Sequence, residues 1–169
     1  MNPRQWNCKA EDRAARLSRA GAALGARLAG KRVEAGAIGA LLEAVILPGD
    51  RVCLEGNNQK QADFLAQALV QLDPQRVHHL HMVQSVLALP EHLDVFENGI
   101  ASRLDFSFSG PQGARLARLV SAQQIEIGAI HTYLELFARY FVDLTPKVAL
   151  VAAHAADAQG YLYDAPTTE

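Results

Sequence analysis

The sequence has little of what several common protein classes require. Its two cysteines, Cys8 and Cys53, form neither a CxxC pair nor a zinc-ligand pattern, which favours a reduced compartment over a disulfide-linked domain. Positive charge is not in excess, since 16 Lys and Arg stand against 18 Asp and Glu, so no nucleic-acid partner is expected. No apolar run reaches the roughly 18 residues of a membrane span.

What is present is the composition of a globular domain, with 50% hydrophobic and 20% charged residues in a chain of 169. From about residue 34, short apolar segments alternate with segments of helical periodicity. Strands are predicted at 51–55, 77–83, 104–108, 125–127 and 147–153, and helices between them. The last strand is almost wholly apolar, which is typical of a strand covered on both faces. The pattern predicts an α/β fold, a mostly parallel sheet with helices on both faces.

The first 33 residues are predicted to form a separate helical extension that frays at its glycines. Leucines lie on one stripe of this helix and arginines on another side (Leu17, Leu24 and Leu28; Arg13, Arg16 and Arg19). Because Glu11 and Asp12 are acidic, a loosely docked helix is favoured over a targeting segment. Residues 34–169 are predicted to be the α/β domain. No helix follows its last extended segment, near Leu162, so a chain truncated at its C-terminus is expected.

Polar residues follow the predicted strands, where open parallel sheets bind their ligands. Gly56 permits a tight turn, and the amides of Asn57, Asn58 and Gln59 come just before a predicted helix. Such a loop suits a carboxylate, or a thioester oxygen that becomes negative during acyl transfer. A polar loop with an Asn cap explains the same residues equally well.

Further candidates lie after the other strands. Gln84 and Ser85 could donate to a bound acyl group, although they could also cap the following loop. Ser109 and Gly110 form a small-residue turn, and His131 stands at a junction between strand and helix where capping is an equal explanation.

A metal site is not predicted, although His79 and His81 would share one face of the second strand. They lack a third ligand of the right type and spacing. No nucleophile stands out either, because the sequence has no GxSxG motif and Cys53 lies within a strand, as a buried and unreactive thiol would. The aromatic residues of the last helix are expected to serve in packing.

Three segments closely resemble the malonate decarboxylase α-subunit family. They are CLEGNNQKQADFL at 53–65, HMVQSVLALPEHL at 81–93 and GAIHTYLELFARYFVDL at 128–144. The resemblance extends over residues 41–169. It implies a coenzyme A transferase-like fold, of which this chain would hold the first half only.

The resemblance also implies an activity, the transfer of a carrier-bound thiol from acetyl to malonyl (acetyl-ACP + malonate to malonyl-ACP + acetate). The implied partners are an acyl carrier subunit, which bears a phosphoribosyl-dephospho-CoA group, and decarboxylase subunits. No directly bound cofactor is implied, and the implied location is the bacterial cytoplasm. The substrate site would consist of the 56–59 loop (Gly56, Asn57, Asn58 and Gln59) with Gln84, Ser85, Ser109, Gly110 and His131 at its rim.

The family's glutamate nucleophile is expected outside this chain, in a second half. The hypothesis is therefore that the isolated chain folds but does not catalyse the transfer reaction. Two other functions are compatible with the sequence. One is a coenzyme A transferase for another short carboxylic acid. The other is a non-catalytic binding or assembly module, in which the unpaired strand near Leu162 would favour self-association.

Overall fold

The computed structural model of the chain describes residues 4–55 and 62–163. Within them, six α-helices and nine strands follow one another in this order: α1 (Arg4–Leu24), β1 (Leu28–Ala29), β2 (Arg32–Val33), α2 (Ile38–Val45), β3 (Arg51–Leu54), α3 (Asp63–Val70), β4 (Leu80–Val86), α4 (Glu91–Glu97), β5 (Ala101–Phe108), α5 (Gly113–Ser121), β6 (Glu126–Ile130), α6 (Tyr133–Val142), β7 (Val148–Leu150), β8 (Ala155–Ala156) and β9 (Leu162–Tyr163).

The strands β3 to β7 form one parallel sheet in the order β6-β5-β4-β3-β7. The predicted α/β fold is thereby confirmed. The chain advances strand by strand from β3 to β6, and then α6 leads back across the sheet to place β7 beside β3. Right-handed connections that advance in one direction put their helices on one face, and a reversal puts the next helix on the other. The sheet therefore has its topological switch point between β3 and β7.

One face of the sheet carries the main hydrophobic core, against α2, α3, α4 and α5. Alternate side chains of the strands point into it because successive residues of a strand face opposite sides. Burial of each of the larger apolar side chains stabilises the folded state by roughly 1.5–3 kcal/mol. The strand residues of this core are Val52, Leu54, Leu80, Met82, Ala101, Leu104, Phe106 and Leu150.

The opposite face is covered by α6 and has a much smaller apolar cluster. Val83, Leu136 and Leu144 are buried there, with Tyr140 packed against them. The neighbouring strand position on this face is the charged residue Asp105, which is itself buried. The two faces of the sheet thus differ sharply in polarity.

Two strand predictions are wrong in detail. β4 begins at Leu80 rather than at residue 77, because His79 has a φ of 55°, in the left-handed region, which interrupts an extended backbone. His79 consequently does not share a strand face with His81. β7 is short and, within the described residues, pairs with β3 alone, so it lies at the sheet edge with Ala149 exposed rather than covered on both faces.

The first helix buries only part of the predicted leucine stripe, because Leu24 is buried and Leu17 is not. Arg16 is buried, where its guanidinium pairs with both carboxylate oxygens of Asp50 and its Nη1 donates to Val45 O at 2.7 Å. Leu17 is 63% exposed. The reason is tertiary, because a carboxylate buried just before β3 needs a cation and α1 supplies it.

The last strand is not an unpaired edge. β9 pairs with β8 in a small antiparallel sheet, in which Leu162 is opposite Ala156. The expectation of a free strand near Leu162 is therefore wrong. None of the helices in the two described ranges combines the length and the apolar character needed to cross a lipid bilayer.

Candidate functional site

A cavity of about 370 Å³ opens at the carboxyl end of the sheet, beside the switch point. Ligands of open α/β sheets bind in this kind of crevice, because the neighbouring connections there leave the sheet on opposite faces. The ends of β3, β4 and β7 form one wall of the cavity and α6 forms the other. The lining residues are Cys53, Leu54, Glu55, Ser85 and Val151, with Tyr133, Leu136, Phe137 and Tyr140 from α6.

Glu55 connects the two strands at the switch point. Its backbone N–H donates to Leu150 O at 3.0 Å, and its Oε2 accepts a hydrogen bond from the Ala152 N–H at 2.8 Å. The carboxylate thus holds the segment after β7 against the end of β3, and the floor of the cavity is fixed by the backbone of both strands.

Cys53 and Tyr140 form a neutral polar pair in the cavity wall, with Sγ and Oη 3.4 Å apart. Burial raises the pKa of the Cys53 thiol and the pKa of the Tyr140 hydroxyl above their ordinary values. Both groups therefore keep their protons at neutral pH. Cys53 is half-buried rather than buried, but the chemical conclusion from the sequence stands, because a protonated thiol is a poor nucleophile.

Gln84 is fully buried, on the opposite face of β4 from Ser85. Among the described residues, neither its Nε2 nor its Oε1 has a hydrogen-bond partner. A buried polar group without a partner destabilises a fold by about 1–3 kcal/mol. Gln84 lies on the face that carries α3, and the connection from β3 to α3 starts at the cavity, at Glu55.

That connection contains the predicted acyl loop. Gly56, Asn57, Asn58 and Gln59 lie outside the described residues, between Glu55 on the cavity wall and Ala62 in front of α3. In the sequence, the candidate loop directly follows Glu55, a residue of the cavity wall.

Ser109 and Gly110 lie in a different place. Ser109 lines a second, mostly apolar cavity of about 600 Å³ between α5 and the strands β5 and β6. Gly110 has a φ of 52°, and a Cβ there would lie 3.2 Å from Leu87 O, so this turn requires glycine. The structure therefore places Ser85 and Ser109 in separate cavities.

His131 is buried under the N-terminal end of α6 and takes part in a polar chain on the sheet. Its Nε2 is 2.8 Å from Asp105 Oδ1, and the other oxygen of that carboxylate, Oδ2, is 2.6 Å from His81 Nε2. His81 Nδ1 accepts in turn from Arg51 Nε at 3.4 Å. We call these four residues, Arg51, His81, Asp105 and His131, the polar chain. The His131 side chain thus points onto the sheet rather than toward solvent at a rim.

The polar chain keeps its carboxylate charged and one imidazole neutral. Burial raises the pKa of Asp105, but hydrogen bonds from His131 and His81 outweigh it, so the pKa lies below the ordinary value. Burial lowers the pKa of His81, against the opposing effect of Asp105. At neutral pH, Asp105 is therefore an anion that accepts two imidazole N–H bonds.

Sequence reasoning missed Asp105, although one signal was available. A charged residue between Leu104 and Phe106, in a strand expected to be covered on both faces, requires a buried partner. Gly128 belongs to the same signal, because a Cβ there would lie 2.0 Å from Asp105 Oδ2. Among the residues with described positions, no group of three or more His, Cys, Asp or Glu side chains is arranged to hold a metal ion.

The sequence profile of the malonate decarboxylase alpha subunit, transporter, matches residues 5–169. The chain belongs to the malonate decarboxylase α-subunit family. The match includes the segment before residue 41, for which the sequence alone suggested no relative. The curated acetyl-S-ACP:malonate ACP transferase of Malonomonas rubra is 58% identical over 130 residues, which are 77% of this chain and 24% of that protein.

Solved structures of this family have the same fold. The crystal structure of a Pseudomonas malonate decarboxylase hetero-tetramer in complex with malonate superposes with a TM-score of 0.90 at 51% identity, over 97% of this chain and 29% of that one. The α subunit of a malonate decarboxylase from Acinetobacter baumannii gives a TM-score of 0.87 at 46% identity, over 95% and 29%. The chain therefore spans 24% to 29% of the length of these relatives.

Proposed function

We propose that this chain forms the acyl-binding part of an acyl-carrier-protein transferase within malonate decarboxylase. The reaction exchanges acetyl for malonyl on a carrier-bound thiol, so that acetyl-ACP and malonate give malonyl-ACP and acetate. The observation that carries the proposal is the cavity at the switch point, because the amide-rich 56–59 loop begins at its wall. Membership of a family with a relative named for this transfer supports the proposal.

The chemistry requires stabilisation of oxygen atoms that become negative. A carboxylate oxygen of malonate attacks the acetyl carbonyl carbon, the C–S bond breaks, and the thiolate leaves with the electron pair. The thiolate then attacks the malonyl carbonyl carbon of the resulting anhydride, and acetate leaves. Directly or by way of an enzyme carboxylate, each step passes through an oxyanion, and one preorganised donor typically contributes about 2.7–4 kcal/mol to such a state.

Neutral amides suit this purpose, since they stabilise a developing charge without holding malonate in a tight ion pair. We propose that Asn57, Asn58 and Gln59 supply such donors and that Gly56 allows close approach of the acyl group. Within the part of the chain that the structure describes, both amide atoms of Gln84 are unpaired, and Gln84 lies on the face of the sheet that carries α3, which supports a role for it as a further donor. Ser85, on the cavity wall, completes this set.

The remaining candidates support the site from a distance in this proposal. Ser109 and Gly110 shape the neighbouring connection after β5, and His131 orders the start of α6. The nucleophilic glutamate of the reaction is expected in a region that the longer relatives contain beyond the matched part. The proposed partners are an acyl carrier bearing a phosphoribosyl-dephospho-CoA group, or coenzyme A in its place, and decarboxylase subunits, in the bacterial cytoplasm.

Equilibrium binding of malonate to the 169-residue chain, measured by calorimetry, tests the proposal. Gln84→Leu removes an amide while keeping the volume similar, and loss of a hydrogen bond to a charged group, about 1.5–3 kcal/mol, weakens binding roughly 10- to 150-fold. Ser109→Ala is the matched control in the second cavity and is expected to leave binding unchanged. Absence of malonate binding, or equal binding by wild type and Gln84→Leu, would contradict the proposed site.

Acceptor choice separates this function from transfer to another short acid. With acetylated carrier and the other subunits present, malonate is expected to compete better than succinate for the carrier thiol, as measured by the mass of the carrier. The isolated chain is expected to give no malonyl-carrier. Clear turnover by the chain alone would contradict the expected place of the nucleophile.

A binding or assembly role without catalysis is the second candidate. It is favoured by the outer face of α6, where Leu134, Phe141 and Val142 are each more than three-quarters exposed. Contiguous exposed apolar surface of this kind is typical of interaction sites. This alternative predicts subunit binding without any effect of Gln84→Leu on malonate affinity.

A further inference from the structure

The helix α6 has few apolar contacts to hold it on the sheet. Of its ten residues, Leu136 alone is fully buried, and the cluster beneath it contains few other side chains. A surface helix normally buries an apolar stripe more than 100° wide. The position of α6 must therefore depend on other interactions, although α6 forms one wall of the cavity.

The polar chain supplies these interactions at both ends of the helix. At the start of α6, two hydrogen bonds fix His131 to the sheet. Its imidazole is hydrogen-bonded to Asp105, and its backbone N–H donates to Phe106 O at 2.8 Å. At the other end, Arg51 Nη1 donates to Asp143 O at 2.6 Å and to Thr145 O at 3.2 Å. The same arginine is bonded to His81, so the chain is continuous across β3, β4 and β5.

We propose that the polar chain is a pH-sensitive device that fixes α6 on the sheet, and that a second proton on His81 releases the helix and deforms the cavity. The proposal concerns a conformational property and goes beyond the proposed transfer reaction. It does not depend on which acyl group the cavity binds.

The hydrogen-bond chemistry decides the proton positions. A guanidinium can only donate, so His81 Nδ1 must accept from Arg51 and the single ring proton must lie on Nε2, facing Asp105. A proton added at Nδ1 would face the guanidinium directly. The contact that continues the chain toward the end of α6 would then become a repulsion.

The surrounding charges define the response. Five charged groups surround the four residues of the polar chain: Arg103 from β5, Glu126 from β6, Glu135 and Arg139 from α6, and Asp143 after α6. Two further titratable groups, Cys53 and Tyr140, form the neutral pair described above.

The sign of the pH effect follows from two groups. The pKa of His81 in the folded chain lies below its ordinary value of about 6.5, so below pH 6.5 the released state binds more protons and is favoured as the pH falls. The pKa of Asp105 is also lowered, and its contribution to stability is lost only below about pH 3.9. Release between pH 6.5 and 4 therefore reports on His81 rather than on Asp105.

Hydrogen exchange of the 169-residue chain, corrected for the intrinsic pH dependence of exchange, tests the device. Between pH 6.5 and 5.5 the protection of α6 amides is expected to fall by up to about fivefold, while that of α5, which contains no histidine, stays constant. His81→Gln should abolish the response, because a glutamine can donate to Asp105 and accept from Arg51 without titrating. His92→Gln removes another buried histidine, in α4, and should leave the response intact.

Constant protection of α6 in the wild type would overturn the proposal, and so would an unchanged response in His81→Gln or an equal loss in α5.

Long-range proton–nitrogen spectra of the imidazoles give a second measurement. At pH 7.5, His81 and His131 should both carry their proton on Nε2. In Asp105→Asn, an NH2 group that donates replaces one carboxylate oxygen, and the remaining oxygen still accepts from His81, so His131 should accept at Nε2 and carry its proton on Nδ1. A proton on Nδ1 of wild-type His81 would contradict the hydrogen bond from Arg51 to His81 on which the polar chain depends.

Discussion

Gly128→Ala is a direct test of the close packing around Asp105. A Cβ at residue 128 would lie 2.0 Å from Asp105 Oδ2, 2.8 Å from its Cγ and 3.1 Å from Arg103 Nε. The backbone on both sides belongs to paired strands, so the Asp105 side chain must move. Its carboxylate then gives up at least one of its two imidazole hydrogen bonds while it stays buried.

The expected loss of stability follows from those bonds. A hydrogen bond to a charged group contributes about 1.5–3 kcal/mol, and a buried charge with a partner removed typically destabilises a fold by about 3–5 kcal/mol. Alanine returns about 0.5–1 kcal/mol of backbone entropy. The net loss is therefore about 3 kcal/mol, which lowers the melting temperature of a chain of this size by about 6–12 °C.

Urea and thermal unfolding, followed by circular dichroism, measure this loss. Gly39→Ala is the matched control, because a Cβ there meets nothing within 4 Å and the residue lies inside α2. That variant is expected to gain up to about 1 kcal/mol from helix propensity. If Gly128→Ala unfolded within about 0.5 kcal/mol of the wild type, the range of ordinary surface substitutions, Asp105 could not be held as the structure has it.

Two further predictions concern other parts of the chain. Arg16→Ala leaves the buried Asp50 carboxylate without its cation, so it is expected to lower the free energy of unfolding by about 3 kcal/mol in urea titrations. As a control, Arg13→Ala at an exposed position should change the free energy of unfolding by less than about 0.5 kcal/mol. Equal effects of the two substitutions would contradict the docking of α1 through Arg16. Cys53 is expected to react with iodoacetamide at pH 7 more slowly than the exposed Cys8, as measured by peptide mass spectrometry, because burial raises the pKa of the Cys53 thiol. Comparable rates would refute the neutral thiol.

The sequence was sufficient to predict the fold class and the order of the parallel strands along the chain. Regular alternation of apolar strands with amphipathic helices allows few other architectures, because each element must bury one face. Long unusual strings such as residues 53–65 were sufficient for the family. Boundaries were less accurate, as at β4, where the left-handed backbone at His79 has no clear signal in the residue type.

The edge of the sheet at which the cavity opens could be predicted from the sequence, and the residues that line the cavity could not. A polar loop after β3 is recognisable in the sequence, and the ends of parallel strands share one edge of the sheet. The location of the switch point is not recognisable, because it depends on where β7 pairs. That pairing decides that Ser85 lines the same cavity as Glu55 and that Ser109 lines another.

The sequence by itself determined the alternation of strands and helices, the fold class and the family. Tertiary structure alone decided which polar side chains come into contact. Successive members of the polar chain (Arg51, His81, Asp105 and His131) are 24 to 30 residues apart in the sequence, and the register of the strands brings them together. The physical reason is that apolar periodicity acts locally, whereas a buried carboxylate is stable only where the fold brings donors from other strands to it.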